Sequence, residues 1–284
     1  FCKRCGKIHE CINCSVPLTM YKSSGRSSCH YCGTEYYKLQ CPECGCEEIF
    51  DAGAGTERVE EFLQQMFPDN IVRIDAGKIN TFKQLDTALA AFYNKEAQIL
   101  VGTQLIAKGL HFPDVTFVGI LGIDNILSIP DYRSVEKAYQ LVMQVSGRAG
   151  RGESKGDVYI QTHMPEHDLF KYFTRPASEF YDYELERRKL FDYPPYSKMA
   201  RIILSYSKQA EVKQISAIIA AELHRANKNG TSILGPAPAV IYKIKNQYRF
   251  SIIIKSASHK QLNSLLLCAK AAFDKHKTGT MTIK

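Results

Sequence analysis

Cys-Lys-Arg-Cys at residues 2–5, Cys-Ile-Asn-Cys at 11–14, Cys-His-Tyr-Cys at 29–32 and Cys-Pro-Glu-Cys at 41–44 decide how the first part of this chain folds. These pairs hold eight of the ten cysteines. Two C-x2-C pairs supply the four thiolates of one tetrahedral zinc shell, so four pairs predict two structural zinc ions. The predicted ligands are Cys2, Cys5, Cys11, Cys14, Cys29, Cys32, Cys41 and Cys44.

The spacing between the pairs predicts which pairs share an ion. Only five residues separate Cys5 from Cys11, which is too short for a comfortable fold around one ion, whereas fourteen separate Cys14 from Cys29. We therefore expect a nested arrangement with the two inner pairs on one ion and the two outer pairs on the other. Glycine follows three of the pairs, at Gly6, Gly33 and Gly45. A positive φ there would let backbone amides point at sulfur.

A disulfide framework is the alternative to zinc. It requires an oxidising compartment and is typical of small secreted chains. The regular pairs, the 240 further residues of globular composition and the absence of a signal peptide favour zinc. His9 and His30 are expected to be bystanders, and Cys46 is a possible competitor of Cys44.

Composition and charge limit the remaining 240 residues. The chain has 284 residues and is 45% hydrophobic, which predicts two domains beside the metal module. No apolar run approaches the roughly 20 residues of a membrane span, so we expect a soluble protein. The formal net charge is +8, or about +4 with two tetrathiolate zinc sites counted. A moderately basic protein is compatible with nucleic acid without requiring it.

The middle of the chain alternates predicted strands and helices. Helices are predicted at 57–66, 81–93 and 135–145, and strands at 71–74, 98–101, 116–121 and 158–161. Thr56 is the predicted start of the first helix, and Asn80 or Thr81 the cap of the second. Such alternation predicts a mostly parallel sheet in a three-layer α/β fold.

The last part reads as β-α-β-β-α-β, the order of a ferredoxin-like α+β sandwich. Strands are predicted at 200–206, 240–243, 248–255 and 280–283, with helices at 210–226 and 260–273. The central hairpin, joined around Asn246-Gln247, carries basic and aromatic residues, namely Lys243, Lys245, Arg249, Lys255, Tyr242, Tyr248 and Phe250. They would suit DNA, since cations neutralise phosphates and aromatic rings stack on bases. Alternation in a half-buried hairpin explains the same residues without a ligand.

Two segments of the α/β part carry the chemistry. The first is G-T-Q-L-I-A-K-G at 102–109, directly after a predicted strand, with polar groups suited to phosphate or ribose. The second is Q-V-S-G-R-A-G-R at 144–151, which places two guanidinium groups where they can grip a phosphoryl group. Alone, the first is equally explained as a connecting loop and the second as a solvated basic turn.

Together the two segments resemble the fifth and sixth motifs of superfamily two helicases. The chain also resembles the PriA family of replication-restart helicases in the order of its motifs. The cysteine pairs come first, followed by G-T-E-R-V-E at 55–60, G-T-Q-L-I-A-K-G-L-H-F-P-D-V at 102–115 and Q-V-S-G-R-A-G-R at 144–151. That resemblance implies a second RecA-like lobe at 51–190, after a zinc module at 1–50 and before a DNA-binding domain at 191–284.

The resemblance also implies roles for individual residues. Gly102, Thr103, Gln104, Lys108 and Gly109 would couple nucleotide state to DNA contact. The catalytic group facing the ATP γ-phosphate would be Gln144, Arg148 and Arg151. Asp124 matches an acidic loop position of the family. The segment 75–78 departs from the family pattern, as do Gly122 and Ile123.

No G-x4-G-K-[ST] or D-E-x-H motif, which would hold triphosphate, magnesium and water, occurs in the 284 residues. We therefore expect the C-terminal half of an ATP- and magnesium-dependent 3′–5′ DNA helicase, without ATP turnover of its own. The resemblance implies a bacterial cytoplasmic monomer that acts on forked and single-stranded DNA with single-strand binding protein and primosome proteins. The rival hypothesis is a non-catalytic, zinc-containing adaptor for single-stranded DNA or a protein.

The use of the zinc module stays open at this stage. DNA contact, docking of single-strand binding protein or restart proteins, and a purely architectural role are the three alternatives. Basic residues in the module are Lys3, Arg4, Lys22, Arg26 and Lys38.

Overall fold

The computed structural model describes residues 2–5, 7–21, 26–37, 39–48, 55–75, 78–79, 81–103, 106, 114–147, 156–228, 230–276 and 279–284. They belong to two compact units. One, the split unit, combines residues 1–52 with 185–284, and the other, the α/β unit, spans 53–184. The three-part division at residues 50 and 190 stays a prediction.

The zinc module of the split unit has little regular structure beyond a small antiparallel sheet. Its strands are β1 (Thr19–Tyr21), β2 (Arg26–Ser28) and β3 (Glu35–Tyr36), in the order β1-β2-β3. The register pairs Thr19 with Ser28 and Ser27 with Tyr36. Three strands of two or three residues bury little apolar surface, so the cysteines must hold this module together.

The α/β unit follows the predicted alternation of elements. In chain order it contains α1 (Thr56–Met66), β4 (Ile71–Ile74), α2 (Phe82–Tyr93), β5 (Ile99–Gly102), β6 (Phe117–Ile120), α3 (Asp124–Leu127), α4 (Ser134–Ser146) and β7 (Asp157–Ile160). A 3-10 turn (Asp168–Tyr172) precedes α5 (Ala177–Leu190), which ends in the split unit.

Parallel pairing is confirmed, but a single sheet is not seen among the described strands. β4 pairs with β5 from Ile71↔Ile99 to Ile74↔Gly102, and β6 pairs with β7 from Phe117↔Asp157 to Ile120↔Ile160. These are two separate two-stranded sheets. Alternation of strands and helices predicts the direction of pairing because each helix returns the chain to the same end. It does not predict which strands become neighbours.

Both predicted helix starts are confirmed, but only the second has a side-chain cap. Thr81 caps α2, and its side chain accepts from the Gln84 amide in a complete capping box. Thr56 is the first residue of α1, as predicted, although Gly55 occupies the N-cap position and no side chain caps this helix. The Thr56 hydroxyl instead donates to Asp75 Oδ2 at 2.5 Å.

The main core of the α/β unit lies between α4, α5 and the β6–β7 sheet. Tyr139 of α4 stacks on Phe180 of α5 with ring centroids 3.7 Å apart. Both side chains are buried, together with Ile123 and Val142. The alternation of apolar residues in α4 therefore reflects packing against this core.

The C-terminal part confirms the predicted β-α-β-β-α-β order. Its elements are β8 (Lys198–Tyr206), α6 (Gln209–Ala226), β9 (Ser232–Ile244), β10 (Gln247–Ser256), α7 (His259–His276) and β11 (Thr280–Ile283). The sheet is antiparallel in the order β11-β8-β10-β9. The core fills the space between this sheet and the pair α6 and α7.

The predicted strand at 240–243 was too short. β9 begins at Ser232 and passes through Pro236 and Pro238 before it reaches Ile244. Proline cannot donate to a ladder, but an edge strand needs donors on one side only. β9 is such an edge, and its pairing with β10 is interrupted by two register shifts.

Candidate metal centres and motor residues

Two clusters of four cysteines form in the predicted nested arrangement. We name Cys11, Cys14, Cys29 and Cys32 the docked cluster, and Cys2, Cys5, Cys41 and Cys44 the distal cluster. Within each cluster the four Sγ atoms lie within 4.8 Å of one another. The Cys11–Cys32 and Cys2–Cys44 sulfurs are 3.5 Å apart. A tetrahedral zinc with Zn–S bonds of about 2.3 Å separates its sulfurs by about 3.8 Å, so both clusters fit zinc.

Each of the four C-x2-C pairs has the same type of backbone hydrogen bond. The amide of the first cysteine donates to the carbonyl five residues later, from Cys2 to Lys7, Cys11 to Val16, Cys29 to Thr34 and Cys41 to Cys46, at 2.8–3.0 Å. The predicted positive φ is confirmed at Gly33 (76°) and Gly45 (69°). Gly6 lies outside the described residues. Each pair is therefore a closed turn that presents both sulfurs on one side.

Histidine and the spare cysteine stay outside these clusters. His9 and His30 are absent from both sets of ligand atoms, as expected, and Cys44 rather than its possible competitor Cys46 belongs to the distal set. Burial lowers the pKa of His9. The Cys46 carbonyl accepts from the Cys41 amide at 2.9 Å and so closes that turn, while its thiol stays outside the cluster of sulfurs.

Hydrogen bonds tune individual thiols of the docked cluster. The Thr34 hydroxyl, 3.1 Å from Cys32 Sγ, lowers the pKa of that thiol to about 6. Burial raises the pKa of Cys14 to about 12, and the Lys245 amide opposes this shift by donating to its sulfur. Since zinc binds thiolates, both donors stabilise the form that holds the metal.

The docked cluster contacts the hairpin between β9 and β10. Among the described residues, five hydrogen bonds cross this contact, and three of them run from Ser15 N to Lys243 O at 2.9 Å, from Asn246 N to Asn13 O at 2.8 Å and from Lys243 Nζ to Ile12 O at 2.8 Å. Ile241 and Ile244 pack against the cluster. Residues more than 200 positions apart in sequence thus form one body within the split unit.

The predicted DNA-binding hairpin is therefore largely engaged inside the protein. Phe250 is buried in the C-terminal core, and Tyr242 and Tyr248 pack against that core. Arg249 donates to the Ile241 carbonyl at 3.1 Å, and burial lowers its pKa. These contacts favour the interpretation of the aromatic residues as half-buried structural residues.

Lys255 of the hairpin also makes contacts inside the protein, and the hairpin turn lies at a different position from the predicted one. Lys255 Nζ donates to the Phe191 carbonyl at 2.8 Å and lies 3.8 Å from the centre of the Tyr193 ring. The turn is formed by Lys245 and Asn246, one position earlier than predicted, and both have positive φ. Two such residues are the requirement of a two-residue hairpin turn.

Four of the predicted motor residues lie among the described residues, namely Gly102, Thr103, Asp124 and Gln144. Gly102 ends β5, where an added Cβ would lie 2.7 Å from the Ile74 carbonyl, so packing between neighbouring strands requires a glycine. Thr103 follows it and is exposed. Gln144 is half-buried in the last turn of α4. The other predicted residues of these motifs, Gln104, Lys108, Gly109, Arg148 and Arg151, lie outside the described residues.

Asp124 was expected in a loop but begins the short helix α3. Its carboxylate accepts from Thr162 Oγ1 at 2.5 Å and from the His163 amide at 2.8 Å. The Thr162 hydroxyl, followed by that amide, lowers the pKa of Asp124. The carboxylate thus ties the carboxyl end of β6 to that of β7, and its described contacts are structural.

A buried charge network joins α1 to the end of β4, and sequence reasoning missed it. Glu60 pairs with Arg73 at 2.8 Å and with Lys78 at 2.6 Å, while Arg73 lies 2.9 Å from Asp75. Thr56 completes it through its bond to Asp75. The available signal was the joint departure from apolar alternation at Glu60 and Arg73, on a helix and a strand that must pack together.

Among the described helices none is long and apolar enough to cross a membrane.

Comparison with known families matches three parts of the chain. Residues 189–284 match the primosomal protein N C-terminal domain, residues 52–153 the helicase conserved C-terminal domain, and residues 11–35 the Cys-rich region of PriA DNA helicase. Replication restart protein PriA of Bacillus subtilis is 41% identical over 270 residues, 93% of this chain. The chain belongs to the PriA family.

PriA proteins of other bacteria match nearly as well. Those of Synechocystis and Thermotoga maritima are 37% and 36% identical over 264 and 258 residues, in each case 90% of this chain. The chain spans about a third of the length of these curated relatives, 33% of the Bacillus protein and 32% of the Synechocystis protein. It corresponds to the C-terminal part of PriA, because two of the three matched domains are C-terminal by description.

The PriA comparison agrees with the expected fold and with the zinc clusters. The matched Cys-rich region contains all four ligands of the docked cluster. The roles expected for Gln144, Arg148 and Arg151 toward ATP stay predictions.

Proposed function

We propose that this chain supplies the second motor lobe, the zinc module and the C-terminal domain of an ATP-dependent 3′–5′ DNA helicase. In this proposal the enzyme recognises stalled or abandoned replication forks and initiates primosome assembly. Its ligands are forked and single-stranded DNA, and its partners are single-strand binding protein and primosome proteins. The observation that carries the proposal is that successive parts of the chain match the Cys-rich region of PriA DNA helicase, the helicase conserved C-terminal domain and the primosomal protein N C-terminal domain.

The α/β unit supports a motor role through the positions of its polar residues. Thr103 follows β5, and Asp124 follows β6. Ligands of parallel sheets bind beyond the carboxyl ends of the strands, where these residues lie. Gln144 sits in the last turn of α4, four residues before Arg148 in sequence.

ATP would bind mainly to the part of the enzyme that carries the triphosphate loop. In such engines bound magnesium offsets the charge on the phosphates, and arginines from the other lobe stabilise the transferring phosphoryl group. Arg148 and Arg151 are the residues of this chain proposed for that task. Lobe closure would bring them to the γ-phosphate.

The test is DNA-stimulated ATP hydrolysis by the full-length protein carrying Arg148→Ala. Loss of an arginine that stabilises the transition state lowers kcat by about 10³-fold or more. Zinc content and DNA binding should be unchanged. Arg175→Ala is the matched control, because Arg175 is exposed in the same unit and pairs with Glu179 at 3.5 Å.

Two results would contradict the proposal. Full-length protein without any DNA-stimulated ATP hydrolysis would favour the non-catalytic adaptor. An Arg148→Ala variant within a few-fold of the unmodified enzyme would remove the arginine from the mechanism.

A further inference from the structure

The two cysteine clusters have the same turns but different surroundings. In the docked cluster Cys11, Cys14 and Cys29 are no more than 4% exposed. In the distal cluster Cys2 and Cys41 are buried to the same degree, but Cys5 is exposed and Cys44 is partly buried. The docked cluster forms an apolar core with Val16, against which Ile241 and Ile244 pack.

The β9–β10 turn donates hydrogen bonds to the docked cluster and to the Cys11–Cys14 turn, which we call its first knuckle. The Lys245 amide donates to Cys14 Sγ at 3.2 Å, and the Asn246 amide donates to the Asn13 carbonyl at 2.8 Å. Lys245 and Asn246 have positive φ values of 49° and 61°, and in this conformation both of their amides face the knuckle. The Asn246 side-chain amide adds a bond to Asn13 Oδ1 at 2.9 Å.

Charge explains why such donors matter. A zinc ion with four thiolates carries a net charge of about −2, which partly buried surroundings destabilise unless donors face the sulfurs. Lys243 brings an ammonium group to the Ile12 carbonyl, next to Cys11. Lysines near the distal cluster are paired with carboxylates instead, Lys3 with Glu48 at 2.8 Å and Lys7 with Glu43 at 2.9 Å.

We propose that the β9–β10 turn is part of the docked zinc site. Zinc in the docked cluster and the hairpin stabilise one another, while zinc in the distal cluster is independent of the hairpin. Such coupling is reciprocal: a hairpin that holds Cys14 in place slows zinc loss, and bound zinc holds the hairpin against the knuckle. The two ions therefore leave at different rates, and loss of the docked ion releases the hairpin.

The first test is zinc release from the 284-residue chain to a coloured chelator. We expect a fast phase, which Cys5→Ser abolishes, and a slow phase from the docked cluster. Ile244→Ser removes apolar packing on the docked cluster without adding charge, and should accelerate only the slow phase. Loss of outer contacts typically costs 10–100-fold in metal affinity, so about a 10-fold acceleration is expected. Val240→Ser is the control, since Val240 is 62% exposed on the same strand.

The second test measures hydrogen exchange at the turn amides of Lys245 and Asn246. Cys32→Ser and Cys44→Ser are matched changes, since each removes the second, partly buried cysteine of one turn. We expect at least about 10-fold faster exchange with Cys32→Ser and unchanged exchange with Cys44→Ser, in line with the affinity cost above. Equal effects of the two variants would overturn the proposal. Equal acceleration of both release phases by Ile244→Ser, or of neither, would also overturn it.

Discussion

Replacing Glu60 with glutamine should loosen the joint between α1 and the end of β4. The Glu60 and Arg73 side chains are 11% and 12% exposed, and their charged atoms are 2.8 Å apart. Breaking a buried pair costs about 3–5 kcal/mol because one charge is left uncompensated. Here Arg73 keeps Asp75 at 2.9 Å, and Lys78, which is 48% exposed, contributes little. We therefore expect a loss of about 2–3 kcal/mol in local stability.

Hydrogen exchange under native conditions measures this loss directly. A change of 2–3 kcal/mol corresponds to about 30–150-fold faster opening. The effect should be largest at the Ile79 amide, which donates to the Asp75 carbonyl at 2.9 Å. Glu96→Gln is the control, because Glu96 is exposed in the same unit and should change stability by no more than about 0.5 kcal/mol.

A double-mutant cycle decides whether the pair itself carries the effect. In the combination of Glu60→Gln with Arg73→Met, the second change should cost much less than it does alone. Additivity within about 0.5 kcal/mol would show that the two side chains do not interact. Protection within threefold of the unmodified chain in Glu60→Gln would refute the burial argument.

Three further perturbations test other parts of the structure. Chelation of zinc should remove amide protection from all four cysteine turns and from the β9–β10 turn, while the rest of the C-terminal sheet stays protected. Retained protection of the cysteine turns would contradict a metal-held module. The Thr162 hydroxyl and the His163 amide hold the pKa of Asp124 low. Their hydrogen bonds to the carboxylate therefore persist at neutral pH and break only as pH falls below the usual aspartate pKa of about 3.9. The NMR resonance of the His163 amide should report this protonation of Asp124, and Asp124→Asn should abolish the pH-dependent change. Phe180→Ala should cost about 3–5 kcal/mol in urea unfolding, since Phe180 is fully buried, whereas Phe82→Ala, at an 80% exposed position, should cost less than about 1 kcal/mol.

The zinc clusters were predictable because ligand spacing is a local property. The short link from Cys5 to Cys11 and the longer link from Cys14 to Cys29 were enough to give the nested pairing. The order of the C-terminal elements was predictable for a similar reason, since each strand and helix has its own period of apolar residues.

Features that depend on contacts between distant segments could not be predicted. Nothing in the local pattern around Lys243 or Lys245 indicates that the turn meets the knuckle of Cys14. The hydrogen bond from the Thr56 hydroxyl to Asp75 could not be predicted either, because threonine at a helix start usually bonds to the backbone of its own helix. Tertiary packing overrode local preference at both places.

The 231 positions between Cys14 and Lys245 set a timetable for synthesis. A ribosome adds roughly 5–20 residues per second, so the hairpin emerges roughly ten to fifty seconds after the knuckle it will cover. During that interval the nascent knuckle is solvated and lacks the donor for its second sulfur. Metal capture at this position can begin early, but its final tightness must wait until Lys245 has been translated.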